Sequence, residues 1–128
     1  MCQIYFTEAP PAGYPGGERT MGGRTRPGPE PGRGALRALD PLTGQLKWEL
    51  RHAAPSWAGV LSTASGVVFS GDNDGFVLAV DARTGRELWR YRLGAPIYAA
   101  PSTFTIDGRQ HVALAAGSTL VVFALPVR

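Results

Sequence analysis

Few side chains in this sequence are of the types that carry out acid–base, nucleophilic or metal chemistry, and those few are far apart. Cys2 is the single cysteine, so neither an intrachain disulfide nor a cysteine-rich metal site can form. His52 and His111 each stand alone. The acidic stretch DNDG at 72–75 has its glycine at the fourth place and no glutamate at the twelfth, which excludes an EF-hand loop. We therefore predict a polar turn at 72–75, and we assign no catalytic or metal-binding residue.

A nine-residue phrase occurs twice, forty-one residues apart: DPLTGQLKW begins at residue 40 and DARTGRELW begins at residue 81. In each copy the aspartate can accept hydrogen bonds from the backbone amides that follow it, and the glycine supplies the positive φ that closes a turn. The tryptophan four residues after the glycine can lie against a neighbouring sheet and donate its N–H to a carbonyl. We therefore predict that both copies dock one sheet on the next. The six docking residues are Asp40, Gly44, Trp48, Asp81, Gly85 and Trp89.

From Gly34 onward, short runs of apolar and β-branched residues alternate with turn signals every eight to twelve residues, which is the pattern of an all-β protein. We count nine strands, and no window carries the apolar stripe of a helix. A repeat of about 40–50 residues that holds four strands is the spacing of a β-propeller blade. The sequence therefore predicts a partial β-propeller over 34–128, with two to three four-stranded blades. Two strands end one blade, four form a second and three begin a third.

Residues 1–33 form a different kind of segment. Six prolines and eight glycines fall between residues 8 and 34, and the apolar residues there follow neither the two-residue period of a strand nor the 3.6-residue period of a helix. Proline removes backbone donors, and glycine raises the entropic cost of ordering the chain. We therefore predict a proline- and glycine-rich irregular loop segment over 1–33.

The composition argues against two classes of partner. Five arginines lie between residues 19 and 37, but no aromatic residue is interleaved with them to stack on bases, so we expect no nucleic-acid binding. Apolar runs such as TLVVFAL are far too short to span a membrane. The first ten residues lack the basic start and the apolar run of a signal peptide.

Three further motifs carry a resemblance to a known family. SWAGVLST at 56–63, GVVFSGDNDG at 66–75 and GAPIYAAPSTF at 94–104 resemble the C-terminal end of the pyrroloquinoline quinone (PQQ)-dependent alcohol dehydrogenases, the methanol/ethanol dehydrogenase family. The resemblance covers about residues 34–126 and implies an eight-bladed quinoprotein propeller in the periplasm. It also implies PQQ near the propeller axis with Ca²⁺ or a lanthanide beside it. The implied reaction oxidises an alcohol to an aldehyde and passes electrons to a cytochrome c or a quinone.

One contact of the family site can be transferred by resemblance. The WAG loop is similar to the family segment that reaches the edge of PQQ, so Trp57 and the backbone of Ala58 are the candidate PQQ contacts. The alternative is that Trp57 fills the neck of the propeller between two blades. The two roles are compatible.

The other parts of the family site have no counterpart in this sequence. The family's vicinal Cys–Cys disulfide, its metal ligands and its general-base aspartate match no residues here. We therefore expect a C-terminal fragment of such a dehydrogenase, inactive alone, whose partners are the remainder of the propeller, a small alcohol and the electron acceptor. A non-catalytic PQQ-like-repeat propeller that acts as a scaffold or sensor is the alternative. A small autonomous β domain that binds a partner through its strand edges is a third reading.

Overall fold

The computed structural model describes residues 3–7, 23–29, 32–53 and 55–126. These residues contain eleven strands and no helix, and thus no helix that could cross a membrane. The chain divides into two compact units, Met1–Arg33 and Gly34–Arg128. Cys2 and residues 8–22 of the predicted loop lie outside the described residues.

The first unit contains an antiparallel strand pair. β1 (Gln3–Thr7) pairs with β2 (Gly23–Pro27), and Tyr5 lies opposite Thr25. This pairing differs from the prediction, which gave the whole of residues 1–33 as an irregular loop. The physical reason is that neither strand contains a proline before the last residue of β2, so both keep the N–H groups that a ladder needs.

The second unit contains nine strands in three antiparallel sheets, and the strands of each sheet pair in chain order. The strands of the first sheet are β3 (Gly34–Leu39) and β4 (Leu46–His52). Those of the second are β5 (Leu61–Ser62), β6 (Val67–Gly71), β7 (Phe76–Asp81) and β8 (Glu87–Arg92). Those of the third are β9 (Ser102–Ile106), β10 (Arg109–Ala116) and β11 (Thr119–Ala124). The predicted grouping of two, four and three strands, and with it the all-β partial propeller, is confirmed.

Two apolar clusters join the three sheets. Leu36 of the first sheet packs with Val68 and Val80 of the second sheet. Val77 of the second sheet packs with Leu114 of the third. Each of these side chains is at most 9% exposed. Burial of apolar area, worth about 25 cal/mol per Å², therefore stabilises the packing of each sheet on the next.

The two copies of the repeated phrase form the same turn. Oδ1 of Asp40 and Oδ1 of Asp81 each accept hydrogen bonds from the backbone amides two and three residues further on, at 2.9–3.1 Å. Gly44 and Gly85 both have φ of 70°. In each copy a β-bulge lies just before the aspartate, so the strands twist in the same way as they enter the turn. The local chemistry of the phrase thus gives one turn geometry, used twice.

Trp48 connects the first sheet to the turn of the second. Its Nε1–H donates to the carbonyl of Ala82 at 2.9 Å, and its half-buried ring covers Gly85. A Cβ added at Gly85 would lie 2.5 Å from the nearest ring atom. Gly85 therefore has two tasks, since it adopts a left-handed backbone and also leaves room for an indole ring from the preceding sheet.

The tryptophan of the second copy packs differently. Trp89 lies parallel to Tyr91, with ring centroids 6.0 Å apart, and meets the edge of Phe123 in the third sheet at 5.1 Å. A cavity of about 700 Å³ lies beside it, lined mainly by apolar side chains of the second and third sheets such as Phe69 and Val112. At the first junction between sheets, the tryptophan of the repeat thus lies on a glycine turn. At the second junction, the tryptophan packs in a cluster of three rings beside a cavity.

Replacing each turn glycine by alanine separates the cost of the left-handed backbone from the cost of overlap with Trp48. Gly44→Ala should cost about 1–2 kcal/mol from the left-handed backbone, because nothing lies within 4 Å of the added methyl group. Gly85→Ala carries that cost plus about 1–3 kcal/mol for the overlap with Trp48. Urea unfolding of the purified chain measures both. Equal losses of stability in the two variants would show that Trp48 does not press on the turn.

From the hydrogen bonds of the turn aspartates we predict that the free energy of unfolding falls in acid. The Thr84 hydroxyl and the backbone amides of Thr84 and Arg83 donate to the Asp81 carboxylate and hold its pKa below 3.8. A carboxyl group with a pKa lowered by folding stabilises the fold above its unfolded pKa, and this stabilisation is lost as the pH falls through its folded pKa. We expect the free energy of unfolding to fall below about pH 4, and less steeply in Asp81→Asn, measured by urea unfolding from pH 7 to pH 2.5. The exposed Asp74→Asn serves as the control, and an identical acid slope in both variants would contradict the prediction.

Candidate functional site

The turn between β6 and β7 is held by a buried carboxylate. Asp72 is 6% exposed, and its Oδ1 accepts hydrogen bonds from the backbone amides of Asp74 and Phe76 at 3.0 and 2.9 Å. Gly75 completes the turn with φ of 82°. The DNDG stretch is therefore a polar turn, as predicted, and the backbone amides of the turn use Oδ1 of Asp72 as their acceptor.

The loop before β5, residues 55–60, is fastened to this turn. Ser56 Oγ donates to the carbonyl of Gly71 at 2.6 Å, and the amide of Asn73 donates to the carbonyl of Pro55 at 3.4 Å. These bonds lie on both sides of Asp72 in the sequence. The loop therefore has a defined position at this end of the second sheet.

The loop before β9, residues 93–101, is fastened to the same turn. The amide of Ile97 donates to the carbonyl of Asp72 at 3.1 Å, and the Ile97 side chain is fully buried. A Cβ at Gly71 would lie 2.6 Å from Ile97 Cγ2, so the absence of a side chain at Gly71 lets the isoleucine pack directly on the strand. One turn thus holds two loops by hydrogen bonds and by close packing.

The two loops meet each other and present two aromatic rings. A Cβ at Gly59 would overlap the Cβ of Ala100, so the loop backbones are in close contact. Trp57 and Tyr98 have ring centroids 6.3 Å apart and an interplanar angle of 60°. They are 57% and 59% exposed. We call Trp57 and Tyr98 the aromatic pair.

The structure separates the residues that the sequence singled out. Trp57 is exposed at the end of the sheet that carries the Asp72 turn. Ala58 is half-buried and packs against the cluster around Val77 and Ile97. The turn at 81–85 follows β7, whereas the Asp72 turn precedes it, so the docking turns lie at the opposite end of the strands.

Sequence reasoning missed three contributors to the candidate site: Ser56, Asp72 and Tyr98. The forty-one-residue repeat aligns Tyr98 with Trp57, and this alignment was the available signal for a second aromatic residue. No pattern marks a serine whose hydroxyl bonds a carbonyl fifteen residues away. This contact forms because the loop before β5 lies against the turn that follows β6, which only the folded structure shows.

The pKa of His52, near the site, is set mainly by burial in the packed structure. Burial lowers the pKa of His52 below 6.5, with Asp72 opposing the shift and Arg90 adding to it. Within the described ranges, no three or more His, Cys, Asp or Glu side chains come together as a metal-binding group. This part of the chain therefore offers aromatic surface and backbone groups to a ligand.

Comparison with known proteins gives the family. The model of the family described as "PQQ: Glucose/ethanol/alcohol dehydrogenase, beta-propeller domain" matches residues 34–112. The chain belongs to this family. The resemblance to the PQQ-dependent alcohol dehydrogenases drawn from the SWAGVLST and GAPIYAAPSTF motifs is thereby confirmed.

Individual relatives agree with the family match. The quinoprotein alcohol dehydrogenase PedE of Pseudomonas putida is 48% identical over 84 residues, which are 66% of this chain and 13% of PedE. Methanol dehydrogenase [cytochrome c] subunit 1 of Paracoccus denitrificans is 34% identical over 113 residues, 88% of this chain and 17% of that protein. The crystal structure of the quinohemoprotein alcohol dehydrogenase from Comamonas testosteroni matches 70% of this chain and 13% of its own, with a TM-score of 0.64 and 42% identity. This PQQ-family chain therefore spans less than a fifth of the length of each of these relatives.

Removing the Asp72 carboxylate tests whether it holds the turn to which the two loops are attached. Asp72→Ala leaves the amides of Asp74 and Phe76 without their acceptor, which should lower the free energy of unfolding by about 1–3 kcal/mol. Asp74→Ala, two residues further on and exposed, should change it by less than about 0.5 kcal/mol. Urea unfolding compares the two variants. A similar, small effect of both substitutions would mean that the carboxylate is not the fastening group.

Proposed function

We propose that this chain forms part of the propeller of a periplasmic PQQ-dependent alcohol dehydrogenase. The enzyme oxidises an alcohol to an aldehyde and passes the electrons to a cytochrome c or a quinone. The family match and the relatives named as quinoprotein alcohol dehydrogenases support this assignment. The name of the Paracoccus relative, which includes cytochrome c, supports that class of electron acceptor.

The observation that carries the proposal is the exposure of Trp57 on a fastened loop. In the 128-residue chain the Trp57 indole ring is 57% exposed, although its loop is tied to the Asp72 turn. Contacts between aromatic rings, whether stacked or edge-to-face, are worth about 0.5–1.5 kcal/mol beyond the buried area. We therefore assign Trp57, together with the backbone of Ala58, to contact with PQQ.

The described residues fit PQQ better than they fit a metal. The Trp57 ring offers an apolar aromatic surface, and the close approach of Gly59 to Ala100 holds the loop of Trp57 against the loop of Tyr98. When bound, PQQ supplies the electron acceptor for oxidation of the alcohol. The contribution of this chain would be to hold and orient the edge of the ring system, which Trp57 and the backbone of Ala58 contact.

The metal ligands and the general base are assigned to the remainder of the propeller. The described residues contain no cluster of metal-binding side chains, and Oδ1 of Asp72 already accepts two backbone amides. We therefore propose that Ca²⁺ or a lanthanide binds outside these residues. The 128-residue chain alone should be inactive, and its direct partner is the remainder of the propeller.

The repeated turns have a supporting role in this proposal. Trp48 on Gly85 fixes the first sheet against the second, and Trp89 on Phe123 joins the second to the third. Asp81 shapes the turn that Trp48 covers, and Asp40 and Gly44 form the same turn in the first sheet. We propose that the contacts of Trp48 and Trp89 set where the Asp72 turn lies relative to the neighbouring sheets.

Cofactor binding and turnover test the proposal. The native protein that carries this sequence should bind PQQ, and Trp57→Ala should weaken binding about tenfold while Trp57→Phe retains most of it. Equilibrium dialysis measures the affinity, and thermal unfolding confirms that each variant is folded.

Two outcomes would contradict the proposal. If the native protein does not bind PQQ, the non-catalytic PQQ-like-repeat propeller becomes the better assignment. If the purified 128-residue chain with PQQ and Ca²⁺ gives robust dye-linked alcohol oxidation, the catalytic groups are within this chain and their assignment to the remainder of the propeller is wrong.

A further inference from the structure

Two serine hydroxyls hold the backbone on either side of Trp57. Ser56, which precedes it, is half-buried and donates its hydroxyl to the carbonyl of Gly71 on β6 at 2.6 Å. Ser70, the neighbour of Gly71 on β6, is 2% exposed and donates its hydroxyl to the carbonyl of Gly59 at 3.2 Å. The loop therefore gives one hydroxyl to the strand and receives one from it, with the proposed PQQ contacts between the two bonds. We call Ser56 and Ser70 the serine pair.

The residues between these two bonds are held by packing as well. Ala58 is half-buried and packs on the apolar cluster of Val77 and Ile97. Gly59 lies so close to Ala100 of the next loop that a Cβ at Gly59 would overlap the alanine. The backbone of residues 56–59 is therefore fixed at residues 56, 58 and 59. The position of the Trp57 backbone follows from these contacts of its neighbours.

The serine pair differs from a hydroxyl that only closes a turn of the same sheet. Thr63 donates its hydroxyl to the carbonyl of Val67 at 2.8 Å, four residues away, at the opposite end of β6. The bonds of the serine pair join residues fifteen and eleven positions apart, and each links the loop to the strand. Because a serine hydroxyl is one carbon from the backbone, such a bond sets the distance between the two backbones. The serine pair therefore determines where the loop lies on β6.

We propose that Ser56 and Ser70 are positioning residues, which hold Trp57 and the backbone of Ala58 where they contact the edge of PQQ. This inference rests on the proposed function and adds to it the groups that place the contact. The serine pair acts through the loop, since both hydroxyls are donated to carbonyls of the chain. A contact residue binds well only when its surroundings hold it in the productive geometry. Loss of either hydroxyl lets the loop move on β6, so the Trp57 ring is no longer held in one place.

Removal of each hydroxyl in the native protein tests this proposal. Ser56→Ala and Ser70→Ala should each weaken PQQ binding about threefold to fivefold, because each loses one loop-to-strand hydrogen bond. Ser56→Thr keeps the hydroxyl and should stay within about twofold of wild type. The matched control is Thr63→Val, which removes a hydroxyl–carbonyl bond at the other end of β6 and should bind PQQ as wild type does. Equilibrium dialysis gives the affinity, and thermal unfolding confirms that each variant is folded.

A double substitution shows whether the serine acts through Trp57. In Trp57→Ala the ring that the serine pair places is gone, so adding Ser56→Ala should weaken PQQ binding by less than about twofold more. A serine that acted on the cofactor by another route would weaken binding by the same factor with and without the indole ring. The induced circular dichroism of bound PQQ should change in Ser56→Ala and remain that of wild type in Thr63→Val.

The outcomes separate this inference from the proposed function. If both serine-to-alanine variants are folded and bind PQQ with wild-type affinity and wild-type dichroism while Trp57→Ala binds weakly, the role of the serine pair is overturned and the proposed function stands. If Ser56→Thr or Thr63→Val binds as poorly as Ser56→Ala, the hydroxyl bonds beside Trp57 are not the cause and the inference also fails. If the wild-type protein binds no PQQ, the proposed function fails and this inference fails with it.

Discussion

The candidate site depends on the hydrogen bonds made by one residue, Asp72. Its carboxylate closes the turn between β6 and β7, and its carbonyl accepts the amide of Ile97 from the next loop. The neighbouring carbonyl of Gly71 accepts the Ser56 hydroxyl from the preceding loop. Because all of these groups are backbone atoms or short side chains close to the backbone, they leave little freedom for the loops. The rings of the aromatic pair therefore stay exposed, because their loops have little freedom to move and bury them.

The same strands carry two kinds of function at their two ends. At one end of β7, the Asp72 turn is hydrogen-bonded to the loops of the candidate site. At the other end, Trp48 of the preceding sheet packs on the 81–85 turn. The repeated phrase is therefore a structural device: both copies form the same turn, and Trp48 of the first copy covers the turn of the second. At the other end the two copies carry different aromatic residues, since Trp57 in one loop corresponds to Tyr98 in the next. This division lets a repeated scaffold carry a site that is not repeated.

The scaffold was more predictable from the sequence than the site. Strand grouping and turn chemistry are local, since the Asp81 turn is closed by amides two and three residues away, and the sequence predicted both. The β1–β2 pair was missed because the composition of the intervening residues masked two short proline-poor runs. Trp57 was singled out by family resemblance rather than by physical pattern. The repeat aligned Tyr98 with Trp57 but did not show that the two rings meet. The Asp72 carbonyl could not be assigned in advance, because its contact joins residues that the chain brings together only when the sheets are packed.

Hydrogen–deuterium exchange of the native protein with and without PQQ tests the central claim most directly. Backbone amides report occupancy of a site residue by residue, independently of turnover. If PQQ binds where we propose, the amides of residues 56–59 become slower to exchange when it is added. The turn at 81–85, at the opposite end of the strands, stays unchanged. Unchanged exchange at 56–59 on saturation with PQQ, or protection confined to 81–85, would contradict the account.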